Sequence, residues 1–199
     1  MVNEKNDITG YVLAGGKSSR MGADKGLLLF NEEPLVLRII KQLQSSCSRV
    51  IIVSGNKEYK IFGLEVIGDL VNEMGPAGGI YSALQHTWSE RNFITSCDMP
   101  FISSGGVQYM IQQATHSQIT LPLYRGKVQP LFGVYPGNCV SEWKRLIDRG
   151  IIKLQTMLTH FDLRKIETEK NDLFNEHFFT NVNDKTELDK ALKISGYGN

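Results

Sequence analysis

The chain has few cysteines, no long apolar run and almost no net charge, and each shortage excludes a class of protein. Three cysteines in 199 residues, without a CxxC pair or a Cys/His cluster, exclude a disulfide framework and a structural zinc site. No apolar run approaches the roughly 18–20 residues that a membrane helix needs. The first residues, MVNEKNDITG, are polar and lack the apolar segment of a secretory signal, and the net charge of +1 argues against a nucleic-acid surface. We therefore expect a cytoplasmic protein with neither membrane nor nucleic-acid partners.

What the chain does contain is a regular alternation of short β-rich runs with helical patterns. Its 41% hydrophobic content suffices for a normal core, and its length favours a single domain over residues 1–199. Strands are predicted at 8–14, 49–54, 64–67, 92–97, 118–124 and 128–135, the last two forming a hairpin. Helices are predicted from Pro34 through Leu43, at about 79–88, from Ser103 or Ser104 through Ile111, and at 138–149, 151–160 and 184–194. This alternation predicts an α/β sandwich with a mostly parallel sheet.

Three polar or glycine-rich loops follow predicted strands, at residues 15–25, 68–79 and 98–100. In open parallel sheets, ligands bind beyond the carboxyl ends of the strands. The three loops therefore predict a nucleotide or phosphate site at one edge of the sheet.

The first of these loops, LAGGKSSRMGADK at Leu13–Lys25, concentrates glycines and cations. Gly15 and Gly16 allow the backbone to turn and to present N–H groups to an anion. Arg20 offers a planar guanidinium for phosphate oxygens and Lys25 a mobile positive charge, so both are candidate catalytic residues. Asp24 repels anions, and we expect it to orient Lys25 or Arg20.

Two common phosphate loops do not fit this stretch. A Walker A loop needs a glycine at the position of Tyr11, and GxGxxG occurs nowhere in the chain. A solvated basic surface loop would explain any one of these residues alone. The whole ordered string behind a buried strand favours an anion site.

The pattern LAGGxSxRMGxDK resembles the signature of molybdenum cofactor guanylyltransferases, the MobA family. Its fixed positions are all present, at Leu13, Ala14, Gly15, Gly16, Ser18, Arg20, Met21, Gly22, Asp24 and Lys25. Similar enzymes that use CTP carry alanine at the position of Gly15, so the glycine favours a guanine nucleotide. The resemblance implies a three-layer Rossmann-like nucleotidyltransferase fold with a mostly parallel mixed sheet.

Weaker blocks extend the resemblance over most of the chain. Ser96–Phe101 (SCDMPF) resembles a CDxP block, which implies that Asp98 is catalytic and binds Mg²⁺ together with the nucleotide phosphates. Asp69 matches an aspartate that contacts the nucleotide, and Gly75–Gly79 (GPAGG) resembles a GPLAG block. The resemblance therefore implies that these residues bind the nucleotide: Leu13, Ala14, Gly15, Gly16, Lys25, Asp69, Gly78 and Asp98.

On the acceptor side, Phe179–Asn183 (FTNVN) resembles an FxNxN block, which implies that Asn181 and Asn183 bind the acceptor. Asn183 also reads as an N-cap of the last helix, as does Asp184. Gln129-Pro130-Leu131 is expected to wall the acceptor site. One departure stands out: Ser54 occupies the family's usual asparagine position, with Asn56 two residues later, and either could replace that contact.

The resemblance implies transfer of GMP from GTP to the phosphate of molybdenum-molybdopterin, with release of pyrophosphate and with Mg²⁺ as cofactor. The expected partners are GTP, molybdenum-molybdopterin, proteins of molybdenum cofactor biosynthesis and recipient oxidoreductases. Two alternatives stay open at this point. One is a CTP-dependent cytidylyltransferase of the same fold, and the other is a non-catalytic carrier of GTP or molybdenum cofactor.

Overall fold

The computed structural model describes residues 8–15, 24–71 and 74–196. Its strands are β1 Ile8–Leu13, β2 Leu29–Phe30, β3 Glu33–Pro34, β4 Arg49–Val53, β5 Glu65–Ile67, β6 Arg91–Ser96, β7 Ile119–Tyr124, β8 Lys127–Val128, β9 Phe132–Pro136 and β10 Leu163–Glu167. Its α-helices are α1 Leu35–Gln44, α2 Pro76–His86, α3 Ser104–Gln113, α4 Val140–Asp148, α5 Leu154–Met157 and α6 Lys185–Ile194. Short 3-10 helices occupy Lys25–Leu27, Lys57–Phe62, Gly137–Cys139 and Leu158–His160. None of the helices in these ranges has the length and apolarity needed to cross a membrane.

Eight strands form one mixed sheet in the order β10-β7-β9-β6-β1-β4-β5, with β8 added beside β7. β1 pairs in parallel with both β6 and β4, whereas β9 runs antiparallel to β6 and β7. All six residues of β1 are buried, as expected for a central strand covered on both faces. The predicted mostly parallel mixed sheet is confirmed.

The helices cover both faces of this sheet because side chains alternate along each strand. Val12 of β1 packs in a cluster with Ile39 of α1 and Met110 of α3. Leu13, the next residue, points to the opposite face and packs with Ile80 of α2, in the cluster that also contains α4 residues. Two apolar layers on either side of one sheet give the three-layer architecture that the resemblance implied.

Local hydrogen bonds fix where two of the predicted helices begin. Ser103 caps α3, its hydroxyl accepting a 3.2 Å hydrogen bond from the N–H of Gly106. At α6 the carboxylate of Asp184 accepts from the N–H of Glu187 at 2.8 Å, and Glu187 in turn accepts from the N–H of Asn183 at 2.6 Å. This reciprocal capping box makes Asp184 the N-cap and frees the Asn183 side chain for other contacts.

The structure corrects two of the predicted boundaries and adds a strand that was not predicted. The single strand predicted over 128–135 is wrong, because its residues form β8, which pairs with β7, and β9, which inserts between β7 and β6. α2 begins at Pro76 rather than near residue 79, after Gly75 turns the chain with a φ of 56°. β10 was not predicted, since only Ile166 of this edge strand is fully buried and its apolar pattern is weak.

Candidate active site

The carboxyl ends of four parallel strands meet at one edge of the sheet and carry the predicted site residues. Gly15 follows β1 closely, Ser54 follows β4 directly, and Asp69 and Asp98 follow β5 and β6 two residues after each strand ends. Because β6, β1, β4 and β5 lie side by side in this order, these residues share one side of the molecule. Gly16 and Arg20, predicted to bind and neutralise phosphate, lie outside the described residues, as do Ser18, Met21 and Gly22 of the motif.

Asp98 is held at this edge by bonds to its backbone and to one carboxylate oxygen. Its carbonyl accepts a 2.8 Å hydrogen bond from the N–H of Val182. Its Oδ1 accepts a hydrogen bond from the hydroxyl of Ser96, and its Oδ2 lies 3.9 Å from Nζ of Lys25. The carboxylate therefore has one fixed oxygen and one oxygen that faces a cation.

A lone carboxylate at a strand end suits a metal ion that is shared with phosphates. In the described part of the chain, no group of three or more His, Cys, Asp or Glu side chains is arranged to hold a metal ion. Mg²⁺ is commonly bound by one or two carboxylates together with substrate phosphates and waters. The donor set around Asp98 fits that kind of site and does not form a metal cage by itself.

Lys25 lies between Asp98 and the predicted acceptor residues. Its ammonium donates a 2.9 Å hydrogen bond to Oδ1 of Asn183. Asn181 and Asn183 are both exposed, and the buried Val182 between them is bonded to the backbone of Asp98. The structure thus brings together Lys25, Asp98 and the predicted acceptor residues.

Asp24 sits under Lys25 in a network that sequence reasoning did not find. Its Oδ1 accepts from the N–H of Gly26 at 3.1 Å and from the phenol of Tyr59, and its Oδ2 accepts from the carboxamide of Asn56 at 3.0 Å. Tyr59 is fully buried, and a Cβ on Gly26 would collide with its hydroxyl. Burial, aided by the neighbouring charges, raises the pKa of Tyr59 well above its usual range, so the phenol remains a donor to Asp24. The network fixes the short helix that presents Lys25.

The same network includes Ser54 and Asn56, the two residues that could take the place of the family's asparagine. Asn56 uses its carboxamide on Asp24 and accepts from the N–H of Glu58 at 3.0 Å as the cap of a 3-10 helix. The Ser54 hydroxyl is buried and accepts from the N–H of Asn56 at 3.1 Å. Both residues organise the loop around Asp24. The signal in the sequence was the Asn-Lys-Glu spacing of a capped turn.

Asp69 and Gly78, both predicted to bind the nucleotide, are in close contact with each other. The Asp69 carboxylate accepts from the Ser82 hydroxyl and from the N–H of Val71, both at 3.1 Å. A Cβ on Gly78 would lie only 2.8 Å from the Val71 carbonyl and 3.0 Å from Oδ1 of Asp69. Glycine at position 78 is therefore required for Asp69 to lie against the first turn of α2.

The backbone just before the glycine motif is hydrogen-bonded to neighbouring segments of the fold. Leu13 is buried against Gly79, and its carbonyl accepts a 3.1 Å hydrogen bond from the N–H of Cys97. The N–H of Ala14 donates to the Val53 carbonyl at 2.9 Å. Gly15 is the first exposed residue after β1.

The cysteines are buried and unreactive. Burial raises the pKa of Cys47 to about 12 and that of Cys139 to about 11, and it is the main cause of the high pKa of Cys97 beside the carboxylates of Asp98 and Asp24. All three thiols are free. Cys97 is thus core packing beneath the site, which agrees with the interpretation from the sequence.

The sequence of this chain matches a known family. Residues 10–163 match the model of the MobA-like NTP transferase domain. The chain belongs to this family. Two relatives, both named "Probable molybdenum cofactor guanylyltransferase", come from Flavobacterium johnsoniae and Clostridium perfringens. The first is 35% identical over 91% of this chain and 94% of its own, and the second is 32% identical over 92% and 94%.

A solved structure agrees with the fold of this family member. The molybdopterin-guanine dinucleotide biosynthesis protein A of Archaeoglobus fulgidus superposes with a TM-score of 0.79, covering 94% of this chain and 98% of its own, at 22% identity. Membership in the MobA-like family makes the chain a nucleotidyltransferase and implies dependence on a divalent metal ion. The family model ends at residue 163, before Asn181 and Asn183, whereas the similarity to the Flavobacterium relative extends over most of the chain.

Proposed function

We propose that this chain transfers GMP from GTP to the terminal phosphate of molybdenum-molybdopterin and releases pyrophosphate. The observation that carries the proposal is the meeting of Lys25, Asp98 and Asn183 at the carboxyl edge of the sheet. It joins a phosphate-binding motif to a neutral, polar acceptor side in one site. The names of the relatives give molybdenum cofactor and guanylyl transfer, which supports the proposal. One domain would carry the whole reaction.

In the proposed reaction, an oxygen of the acceptor phosphate attacks the α-phosphorus of GTP. The new P–O bond forms in line as the bond from the α-phosphorus to the β-phosphate oxygen breaks, and pyrophosphate leaves with that electron pair. The attacking phosphate is already ionised at neutral pH, so it needs no strong general base. Positioning and charge stabilisation then supply most of the catalysis.

The proposed roles follow from charge and position. Lys25 and Arg20 stabilise the charge that develops on pyrophosphate, and the backbone of Gly15 and Gly16 cradles the phosphates. Leu13, Ala14, Asp69 and Gly78 form the side on which the nucleoside lies. Asn181 and Asn183 hold the acceptor by hydrogen bonds without adding charge. We propose Mg²⁺ as the divalent ion; Asp98 would hold it together with the substrate phosphates, and it would supply Lewis-acid stabilisation of phosphate charge.

The test is release of pyrophosphate by the purified full-length chain with Mg²⁺ and molybdenum-loaded molybdopterin, comparing GTP with CTP. Release with GTP alone is the expected result. Release with CTP alone would keep the phosphate site and overturn the guanine assignment. Binding of GTP without turnover would favour a carrier of nucleotide or cofactor. We also propose that the product is the guanine dinucleotide form of the cofactor and that recipient oxidoreductases take it up. We place the reaction in the cytoplasm.

A further inference from the structure

A second group of side chains lines the same edge of the sheet beyond Asp98 and has no role in the reaction so far. β7 runs parallel to β6, because both are antiparallel to the intervening β9. Tyr124, which ends β7, therefore lies at the edge that carries Asp98. We call Tyr124, Arg125 and Phe179 the aromatic rim.

In the aromatic rim, Tyr124 contacts both Phe179 and Arg125. The rings of Tyr124 and Phe179 have centroids 5.3 Å apart, and the guanidinium of Arg125 lies 5.1 Å from the centre of the Tyr124 ring. Both rings are half-buried and Arg125 is exposed. The rim therefore offers flat apolar surface and a planar cation in one place.

Turn formation alone does not explain why position 125 carries an arginine. It is the first central residue of the two-residue turn between β7 and β8, with φ of 48°, and Gly126 follows with φ of 70°. Such turns favour Asn or Asp before the glycine, because other side chains are strained in the left-handed region. Here the strained position instead carries an arginine that is laid over an aromatic ring.

Two backbone hydrogen bonds connect the segments near the aromatic rim to Asp98 and to the strand that precedes it. The N–H of Val182, three residues after Phe179, donates to the carbonyl of Asp98 at 2.8 Å, and the exposed Asn181 lies between them in the chain. On the other side, the carbonyl of Leu131 accepts from the N–H of Ser96 at 3.1 Å. The chain therefore runs from Phe179 through the exposed Asn181 to the backbone of Asp98 within four residues.

We propose that the aromatic rim binds the flat heteroaromatic ring of the acceptor, a pterin, while the acceptor phosphate reaches Lys25 and Asp98. This inference rests on the proposed function, since it names where the acceptor's ring lies. Aromatic and guanidinium planes stack on flat heterocycles, and a neighbouring carboxamide such as Asn181 can pair with the polar edge of the ring. The rim thereby selects an acceptor with a planar ring over a simple phosphate ester.

The experiment measures the KM of both substrates for Arg125→Ala, Tyr124→Leu and Tyr124→Phe. We expect Arg125→Ala and Tyr124→Leu each to raise the KM for the acceptor about tenfold, as loss of one stacking partner does, and to leave the KM for GTP within about twofold. Tyr124→Phe keeps the ring and should restore the acceptor KM of the parent protein. Arg164→Ala, an exposed arginine on β10, is the matched control and should change neither value.

A direct binding measurement separates failure of this inference from failure of the proposed function. Saturation-transfer NMR with 6-hydroxymethylpterin, which has no phosphate, should give a signal with the parent protein that is lost in Arg125→Ala. That result would support the ring site even if GMP transfer were absent. Normal GMP transfer with an unchanged acceptor KM in both rim variants would overturn the inference. Loss of inorganic phosphate binding in Arg125→Ala, with pterin binding retained, would also overturn it, because the rim would then be an anion site.

Discussion

Nζ of Lys25 donates a 2.9 Å hydrogen bond to Oδ1 of Asn183, across a sequence separation of 158 residues. The bond joins the proposed phosphate side of the site to the proposed acceptor side. A triphosphate that attracts Lys25 would release the Asn183 carboxamide for the acceptor. Binding of GTP should therefore precede and strengthen binding of the acceptor.

Two substitutions at Asn183 should change the KM values of the two substrates differently. Asn183→Ala removes the carboxamide and should raise the acceptor KM about tenfold, the effect of losing one hydrogen bond of 1.5 kcal/mol or so, with little change for GTP. Asn183→Asp places a carboxylate on Lys25 that competes with the triphosphate, so it should raise the GTP KM. Steady-state kinetics with each substrate varied in turn measures both values. If Asn183→Ala raised both KM values equally, the residue would act only by holding Lys25.

Substitutions at Asp98 and Ser96 should distinguish the role of the carboxylate from the role of the hydrogen bond that holds it. Asp98→Asn should lower kcat about a hundredfold or more, because it removes the carboxylate that would hold the Mg²⁺ ion needed to stabilise charge at the reacting phosphate. Ser96→Ala leaves the carboxylate but frees its Oδ1, and it should weaken the apparent affinity for Mg²⁺ about tenfold while retaining turnover at high Mg²⁺. Measuring the reaction rate at increasing Mg²⁺ concentration distinguishes the two variants. An Asp98→Asn enzyme with normal turnover would exclude the metal role.

Tyr59→Phe removes only the hydroxyl that bonds Asp24. Leaving the half-buried Asp24 carboxylate one donor short should lower the free energy of unfolding by about 1–2 kcal/mol. It should also raise the GTP KM severalfold, since the short helix that presents Lys25 is then held less firmly. Urea unfolding and the GTP KM are the two measurements. Tyr109→Phe, at a half-buried ring that packs on Phe174, is the matched control and should leave the GTP KM unchanged. A stability loss without a change in the GTP KM would limit Tyr59 to a structural role.

Gly78→Ala should damage nucleotide binding, because its Cβ would lie 2.8 Å from the Val71 carbonyl and press on Asp69. We expect a stability loss of about 1–3 kcal/mol, as for overpacked sites, and a higher GTP KM. Gly105→Ala is the control, since its Cβ would meet only the end of the Leu173 side chain, at 3.1 Å. That helical change should be neutral or slightly stabilising. A Gly78→Ala protein with the parent GTP KM would remove Asp69 from the nucleotide site.

Stability should fall at alkaline pH because of the buried thiols. The pKa of Cys47 is raised from 9.0 to about 12, so in the pH window between these values the unfolded chain ionises while the folded chain does not. The stabilisation is complete below pH 9 and is lost as the pH rises, at up to about 1.4 kcal/mol per pH unit for one group. Urea unfolding from pH 8 to 10.5 should show a shallower decline in Cys47→Ala than in the parent protein. Parallel declines would show that Cys47 ionises equally in both states.

The sequence by itself determined the three-layer fold and the family. β1, β4 and β6 are buried apolar runs and the helices have clear apolar faces, so hydrophobic pattern alone located them. β10 was not predicted from the sequence, because an edge strand with a single buried residue has no clear hydrophobic pattern. β9 was joined to β8 because only pairing with β6 reveals where one strand ends and the next begins.

The sequence motifs also placed Asp98, Asp69 and Gly78 at the ligand edge, because loops that follow parallel strands must meet there. Only the tertiary structure decided the contacts across the chain. Val182 docks on the backbone of Asp98, and α6 packs its Ala191 in a small cluster with Phe30 and Leu35, so the intervening Asn183 reaches Lys25. Tyr59 reaches Asp24 in the same way. Such contacts depend on how separate elements pack in three dimensions, and no local pattern of residues encodes them.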